Sequence, residues 1–319
     1  MDDWVGAQFG VAMGCVTISA VIPTFAAAKY LPRLLEALHN QTCKPLEIIV
    51  IDSSSPDQTA AIAKEMGCRV EVIPQSEFNH GGTRNRAARL AKGEILVFMT
   101  QDALPEDEFF LQKLIEPIEQ GSAVASYARQ IPYPDANPSE AFGRQFNYPA
   151  QSHLQTLDQL PQKGFKTFFY SDVASAVRAE VFWAMGGYPD WVIVDEDVYL
   201  CAQMLRAGHV VAYSAEARVW HSHNYSLSQQ FRRLFDVGVF VSQAGEMLTG
   251  AKTSGEGLRF VWHMTTQLAR KGAWGWILYS WLEAALKFLG YHMGRRSHLL
   301  PLPLKRRLSL HRRFWDAST

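Results

Sequence analysis

The chain has 319 residues, which is enough for one large domain or for a domain with an extension. Its apolar fraction of 48% and charged fraction of 19% are those of a globular, foldable protein. No window approaches about 18 uninterrupted apolar residues, so we expect no membrane-spanning helix.

The net charge of zero hides an asymmetry between the two parts of the chain. From Ala251 onward, twelve Lys or Arg residues accompany three acids, which makes this segment +9 and leaves −9 for residues 1–250. A basic segment of this kind predicts an anionic partner such as a membrane surface. We expect no nucleic-acid partner.

Cysteine usage indicates the cellular compartment. The four cysteines show no CxxC spacing, which argues against a disulfide framework or a thiolate metal site and favours a reducing compartment: Cys15, Cys43, Cys68 and Cys201. The first ten residues, MDDWVGAQFG, are acidic and lack the basic start of a signal peptide. We therefore expect a cytoplasmic location.

The first hundred residues alternate strand patterns with helix patterns. The predicted strands are TISAVI, LEIIVID, CRVEVIP and EILVFMTQDA, and the predicted helices are KYLPRLLEALHNQ, SSSPDQTAAIAKEM (with Ser55 as N-cap) and TRNRAARLAKG. This order predicts an α/β fold with a parallel sheet buried on both faces. Ligands of such sheets bind at the carboxyl ends of strands, where Thr24, Asp52 and Asp102 fall.

The remaining chain is less regular at first. Residues 122–170 are rich in Pro, Tyr, Gln and Asn, and IPYPDANPSEAF predicts a long loop. A strand and a short helix ending at Gly186-Gly187 follow, then a helix that opens on Asp195-Glu196-Asp197, then a strand. From Ser228 the pattern is helical almost to the end.

The carboxylate of Asp52 and the guanidinium of Arg84 are candidates for a nucleotide site. An acid at a strand end can accept the imide N–H of a pyrimidine, although a turn cap explains Asp52 as well. Arg84 follows Gly81-Gly82 at the start of a helix, where a phosphate could meet both the arginine and the helix N-terminus. The stretch GGTRNR is neither a Walker loop nor a GxGxxG fingerprint.

Asp102 is the single acid that follows the apolar run VFMTQ. Mg²⁺ binds through one or two carboxylates when substrate phosphates and water supply the other ligands, so one acid can serve a metal site. A turn cap before Leu104-Pro105 is the alternative interpretation.

Two further groups of residues are candidates for catalysis or metal binding. Three successive acids at a helix start suit the helix dipole, but the third also suits a general base, because clustered carboxylates raise one another's pKa. His221 and His223 in WHSHNYS would face the same side of a strand, which allows either two structural histidines or two metal ligands.

The ordered series of these motifs resembles the inverting glycosyltransferases of family 2 with the GT-A fold. The series is VIPTF, VIDSSSPDQT, TRNRAARLAKGEILVFMTQDA, GGYPD, DEDVYL and WHSH. The stretches FNHGGTRNRA, TQDALP, YARQIP, FNYPAQS and HSHNYSL are more narrowly similar to the bacterial rhamnosyltransferase branch that builds surface polysaccharide. The resemblance covers essentially the whole chain.

The resemblance implies a GT-A type α/β fold with a mostly parallel central sheet, as a catalytic domain at 1–227, and a basic helical extension at 228–319. It implies a nucleotide-sugar site formed by Pro23, Thr24, Asp52, Arg84 and Gln101. It further implies a divalent metal, Mg²⁺ or Mn²⁺, held by Asp102 with His221 or His223. Asp197, within the Glu196-Asp197 pair, would be the catalytic base.

Two positions depart from the family's usual pattern. Ala26 stands where the family usually has Asn, which affects nucleotide contacts. The usual Asp-x-Asp is Gln101-Asp102-Ala103 here, with one acid, a form that the narrower branch commonly shows.

The implied reaction is a single displacement that inverts the anomeric carbon. Asp197 would deprotonate an acceptor hydroxyl, while the metal and Arg84 would stabilise the departing nucleoside diphosphate. The donor would be a dTDP- or UDP-sugar, with dTDP-rhamnose implied by the narrower resemblance. The acceptor would be a saccharide or a lipid-linked saccharide.

The apolar segment WGWILYSWLEAALKFLGYHMGRR is flanked by cations. It predicts either an interfacial helix near anionic lipid, with peripheral contact at the inner face of the cell membrane, or a helix packed internally or in a homodimer.

Two rival functions stand beside the transferase. A sugar-nucleotide pyrophosphorylase would need a Gly-rich loop that PTFAAAKYLP lacks, and a carbohydrate-binding or scaffold protein would show no turnover.

Overall fold

The computed structural model describes residues 16–251 and 255–316. The predictions about the N-terminal ten residues and Cys15 therefore lie outside the described residues, as does Lys252 of the basic segment.

The described residues form one nine-stranded sheet. The strands are β1 Ile18–Thr24, β2 Glu47–Asp52, β3 Arg69–Val72, β4 Ile95–Met99, β5 Leu104–Pro105, β6 Ala125–Ile131, β7 His153–Gln155, β8 Ala174–Arg178 and β9 Val211–Trp220. Their order across the sheet is β3-β2-β1-β4-β8-β6-β9-β5, and β7 pairs with β9.

The α-helices lie between and after these strands. They are α1 Leu31–His39, α2 Thr59–Glu65, α3 His80–Ala88, α4 Phe110–Glu119, α5 Pro138–Asn147, α6 Leu160–Lys163, α7 Ala179–Ala184, α8 Glu196–Arg206, α9 Leu227–Ala244, α10 Glu256–Arg270, α11 Trp274–Gly294 and α12 Leu302–Leu308.

Parallel pairing occurs in the first half of the sheet and again between β6 and β9. β1 runs parallel to β2 and β4, and β2 runs parallel to β3, because a helix returns the chain between successive strands. The α/β fold class is confirmed, but the sheet as a whole is mixed: β8 lies antiparallel between β4 and β6, and β5 and β7 are antiparallel to β9.

Each central strand contributes to an apolar core on both faces of the sheet. In β1, Ala20 and Ile22 pack in one core, with the apolar side of α1, while Val21 packs in the other. This period of two is why the strands read as continuous apolar runs. The second core also includes Phe235 and Val239 of α9, so the segment after residue 227 shares a core with the sheet.

Three local predictions were wrong. Ser55 is not the N-cap of α2, which begins at Thr59, because its side chain is engaged by Asp52 and the Ala26 amide. The predicted loop IPYPDANPSEAF contains the start of α5, where Asn137 caps the helix and Pro138 occupies its first turn. His221 and His223 lie just beyond β9, in an irregular segment, rather than on the strand.

Helices α9 and α11 approach each other through glycines. A methyl group on Gly294 would collide with the Phe235 carbonyl, one on Gly290 with the Phe231 carbonyl, and one on Gly238 with the Tyr291 carbonyl. The two backbones are therefore in direct contact along this line.

Among the described helices, none is both long and apolar enough to cross a bilayer.

Candidate active site

Three side chains from two separate loops converge beyond the ends of β4 and β9. The Nε2 atoms of His221 and His223 lie 3.6 and 3.3 Å from the two carboxylate oxygens of Asp102, and 3.1 Å from each other. These ligand atoms all lie within 4.8 Å of one another. The structure thus brings together the three predicted metal ligands, which we call the metal triad.

His221 is oriented by a buried hydrogen-bond network. Its Nδ1 lies 2.9 Å from the Gln130 side-chain oxygen, and the Gln130 amide donates to Tyr148 and Ser171. Arg144 also donates to the Gln130 oxygen, which therefore acts as an acceptor and favours the tautomer of His221 with a proton on Nδ1. That tautomer leaves Nε2 free to bind a metal.

The triad fits a divalent metal by the chemistry of its donors. Burial is the largest effect lowering the pKa of His221, and Arg144 adds to it. Burial also lowers the pKa of His223, against the opposing effect of Asp102. Neutral imidazoles bind metals, so the lowered pKa values favour the ligand form. Two nitrogens and one carboxylate leave the remaining positions for other ligands.

A second cluster contains four carboxylates near one buried arginine. Arg84 lies 2.7 Å from Asp172 and 3.1 Å from Glu196. Asp197 accepts hydrogen bonds from the Asp172 backbone N–H at 3.0 Å and from its own neighbour Val198 at 2.8 Å. With Asp195, these residues form what we call the acid cluster.

Three carboxyls of the acid cluster, those of Asp195, Glu196 and Asp197, have raised pKa values. Burial raises the pKa of Asp197 well above its ordinary value, and Asp172, Glu196 and Asp195 raise it further. Burial and then Asp172 also raise the pKa of Glu196, against the effect of Arg84. The pKa of Asp195 is raised to about 6, mainly by burial. A carboxyl with a raised pKa is a competent general base near neutral pH.

The dipeptide Ser171-Asp172 joins the two clusters. Ser171 accepts from Gln130, which orients His221, while the Asp172 backbone N–H donates to Asp197. The predicted base and the predicted metal ligands therefore belong to one continuous hydrogen-bonded site.

Asp52 and Thr24 sit side by side at the ends of β2 and β1. Both are almost completely buried, and the Thr24 hydroxyl donates to Asp52 at 3.0 Å. The Ser55 N–H and hydroxyl donate to the same carboxylate at 2.8 and 2.5 Å. Asp52 therefore acts as a turn cap in this structure. Near the end of β1, Pro23 pairs with Ile51, the residue before Asp52.

The loop after β1 is held by side chains that accept from four successive amides. The acceptors are Gln101 for Phe25, Ser55 for Ala26, Thr59 for Ala27 and Asp57 for Ala28. Gln101 also donates to the Phe25 carbonyl, so both ends of its amide engage this loop. Ala26 has a φ of 51°, a left-handed conformation that Asn adopts more readily than Ala. The Asn that the resemblance leads us to expect here would therefore suit this backbone better than Ala26 does.

Arg84 does not face an open phosphate site in this structure. Its guanidinium is buried and paired with two carboxylates, so tertiary contacts with the acid cluster determine its position.

Arg233 of α9 is an exposed cation without an ion pair or hydrogen bond among the described residues. Its charge opposes ionisation of the imidazoles in the triad and favours the ionised form of Asp195. Arg233 therefore lies near both clusters.

A cavity of about 470 Å³ adjoins the metal triad. Asp102 and His223 line one side of it, and Lys29 and Arg33 near the start of α1 line another. Lys and Arg side chains next to a metal site suit an anionic ligand such as a diphosphate.

Sequence reasoning assigned no role to Gln130, Asp172 or Arg233. Gln130 lies within the motif YARQIP, and Asp172 follows an aromatic run just before β8. A polar residue at a strand end was the signal available for each of the first two. Arg233 lies in a helix among several charged residues and carried no such signal.

The chain is similar in sequence to known proteins. The family model described as Glycosyl transferase family 2 matches residues 19–186. The O-antigen chain rhamnosyltransferase WbaN of Salmonella anatum is 38% identical over 303 residues, covering 94% of this chain and 96% of that protein. The O-antigen chain rhamnosyltransferase RfbN of Salmonella typhimurium is 37% identical over 302 residues, with the same two shares of coverage.

Two solved structures share the fold at 16% sequence identity. The mannosyltransferase PcManGT of Pyrobaculum calidifontis, in complex with GDP-Man and Mn²⁺, has a TM-score of 0.63 and covers 88% of each chain. The S. aureus TarS fragment 1–349 has a TM-score of 0.54 and covers 94% of this chain and 88% of its own.

Proposed function

The chain belongs to glycosyltransferase family 2, and we propose that it transfers L-rhamnose from dTDP-rhamnose, with inversion, during cell-surface polysaccharide synthesis. The observation that carries the proposal is the joining of the metal triad and Asp197 through Ser171-Asp172. The two relatives named as rhamnosyltransferases, similar over almost their whole length, support the donor sugar. The division into a catalytic domain, 1–227, and a helical extension, 228–319, remains part of the proposal.

Asp197 is proposed as the general base. It would take the proton from an acceptor hydroxyl as that oxygen attacks the anomeric carbon and the bond to the nucleoside diphosphate breaks. Glu196 and Asp172 favour this role, since their negative charge raises the affinity of Asp197 for a proton.

The metal triad would hold a divalent ion that, when bound, supplies positive charge to the diphosphate leaving group. Two imidazole ligands suit a transition metal better than Mg²⁺, which prefers oxygen ligands. We propose Mn²⁺, the ion bound in the PcManGT complex.

Arg233 rather than Arg84 is proposed as the protein cation that contacts the diphosphate. Arg84 is occupied by Asp172 and Glu196, whereas Arg233 is exposed beside both clusters. We expect Arg233→Gln to raise the KM for the donor about tenfold, the loss of one charge-assisted hydrogen bond. Arg232→Gln, at the adjacent position of α9, is the matched control and should leave the KM unchanged.

Asp52, Thr24, Pro23 and Gln101 are proposed to form the nucleotide end of the site. A carboxylate offers about four lone-pair positions, of which Thr24 and Ser55 occupy three on Asp52. The fourth would accept the imide N–H of thymine or uracil. Gln101 would act by fixing the loop at Phe25.

The decisive experiment measures dTDP release from dTDP-rhamnose with Mn²⁺ and candidate saccharide or lipid-linked acceptors. Acceptor-dependent release that EDTA abolishes supports the proposal. Release from a UDP-sugar alone would reassign the donor, and nucleotide binding without turnover under any condition would favour the carbohydrate-binding alternative. Peripheral membrane contact and a homodimer stay predictions from the basic, apolar C-terminal segment.

A further inference from the structure

The α10–α11 helical hairpin exposes an unusually large apolar surface. Its outward side chains include three tryptophans, and each of the following is half or more exposed: Leu258, Trp262, Trp274, Leu278, Trp281, Leu282, Phe288 and Leu289. Eight such side chains make a surface on the order of 1,000 Å², above the few hundred Å² that a soluble monomer usually exposes. We call these eight residues the hairpin face.

The residues of the hairpin face recur at regular helical spacings, and each series ends at an arginine. On α11, Trp274, Trp281 and Phe288 recur every seven residues, and Arg295 follows at the same spacing. Seven residues are close to two helical turns, so these positions share one side of the helix. On α10, Leu258 and Trp262 are followed at the same four-residue spacing by Thr266 and the exposed Arg270.

Acidic charge is nearly absent from the hairpin. Residues 256–296 contain six Lys or Arg residues and two glutamates. Glu283 is buried and paired with Lys287 at 2.5 Å, while Glu256 pairs with Lys166 and Arg259. The exposed cations lie at both ends of the apolar surface, with Arg270 and Lys271 at the hairpin turn and Arg295 and Arg296 beyond α11. Tryptophan and flanking cations are the side chains that suit a bilayer interface.

A groove of about 690 Å³ opens between the two helices beside this face. Leu258, Val261 and Phe288 line its walls, and Glu283 lies among its lining residues. Leu258 and Phe288 belong to both the groove and the hairpin face, so the two apolar surfaces adjoin.

Helix α5 connects this surface with the metal triad. The Ser139 hydroxyl donates to Glu283 of α11 at 2.5 Å, and the next residue, Glu140, accepts from the His223 backbone N–H at 3.2 Å. The hairpin and the loop that carries His223 thus contact adjacent residues in the first turn of α5.

We propose that the hairpin face docks this protein on the surface of an anionic phospholipid bilayer, with the metal triad held beside that surface. The docking deepens the proposed function, on which it rests for its purpose, since it would bring the site to a lipid-linked acceptor. Apolar burial drives insertion, and the cations at both ends of the hairpin select anionic headgroups.

The test is flotation of the full chain with vesicles of phosphatidylcholine alone and with 30% phosphatidylglycerol. We expect the wild type to float with the anionic vesicles and Leu278→Glu to partition at least tenfold less. Leu46→Glu is the matched control, because Leu46 is comparably exposed at 56%, against 69% for Leu278, on a different part of the molecule. It should float like the wild type.

Equal flotation of Leu278→Glu and Leu46→Glu would overturn the proposal. So would absence of flotation together with a dimer in light scattering that Leu278→Glu dissociates, because the face would then cover a second copy of this chain. Leu258→Glu, on the other helix, provides a second variant if Leu278→Glu does not fold. Flotation needs no turnover, so its result is independent of whether dTDP-rhamnose is the donor.

Discussion

The metal triad and the acid cluster are two groups of ionisable side chains joined by one dipeptide, yet they are prepared for different cations. In the triad, one carboxylate faces two imidazoles whose pKa values are lowered mainly by burial, which favours the neutral form that binds a metal. In the acid cluster, Arg84 pairs with two of the four carboxylates, and the raised pKa values of Asp197 and Glu196 favour their protonated forms. Burial is the largest effect in both groups, and it acts in opposite directions because it disfavours the deprotonated form of a carboxyl and the protonated form of an imidazole.

The largest expected effect is on kcat, and it distinguishes the acid cluster from the metal triad. Asp197→Asn should reduce kcat about 10³-fold, the range for loss of a general base, while Mn²⁺ and dTDP affinities stay within about twofold. Asp158→Asn changes an exposed aspartate in the same way and serves as the control. Steady-state kinetics and a Mn²⁺ titration give the two readouts, and retained turnover would remove Asp197 from the mechanism.

Arg84→Gln tests whether one arginine stabilises the whole acid cluster. Leaving Asp172 and Glu196 without their cation should lower the free energy of unfolding by about 3 kcal/mol at pH 8. The loss should shrink at pH 5.5, because protons can then neutralise the carboxylates. Urea unfolding at both pH values measures it. The control is Arg86→Gln on the same helix, whose exposed pairs with Glu71 and Glu77 should contribute less than about 1 kcal/mol.

Gln130→Leu tests the triad alone. Loss of the acceptor that orients His221 should weaken Mn²⁺ binding by about 10- to 100-fold, as for other residues that position a ligating histidine. Gln130→Glu keeps an acceptor oxygen and should restore most of the affinity. Electron paramagnetic resonance of free Mn²⁺, with dTDP present, provides the measurement; equal affinities for the two variants would contradict the positioning role.

The smallest expected effect is on stability. Because the folded-state pKa of Asp195 is raised to about 6 from 3.8, the folded protein binds this proton more tightly, and stability falls as pH rises through that window. Asp195→Asn should remove the fall and raise the free energy of unfolding at pH 7 by about 1 kcal/mol, reduced from the full linkage value because the residue is partly exposed. Asn also tolerates the left-handed backbone at this position, where φ is 59°.

Urea unfolding at pH 4 and pH 7 measures this effect. Asp190→Asn, an exposed aspartate nearby in the chain, should show no such pH-dependent gain. A gain at pH 4 equal to that at pH 7 would mean that ionisation of Asp195 is not the cause.

The strand pattern placed Thr24, Asp52 and Asp102 at strand ends, whereas the resemblance to family 2 predicted that His221 or His223 would join Asp102 in a metal site; both histidines lie beyond β9 rather than on it. The sequence did not reveal Gln130 and Asp172 as partners, because their roles arise from contacts with residues tens of positions away that leave no local pattern. Arg84 illustrates the same limit. Its place at a helix start suggested a phosphate ligand, whereas two buried carboxylates hold it, that of Asp172 before β8 and that of Glu196 at the start of α8.

The glycine contact between α9 and α11 has a mechanical consequence. With backbone against backbone at Gly238, Gly290 and Gly294, the helices have no side-chain layer that could repack, so they resist sliding and tilt together. Helix α9 follows directly after the loop of His221 and His223, and α11 carries most of the hairpin face. The angle between that face and the metal triad is therefore set by the fold.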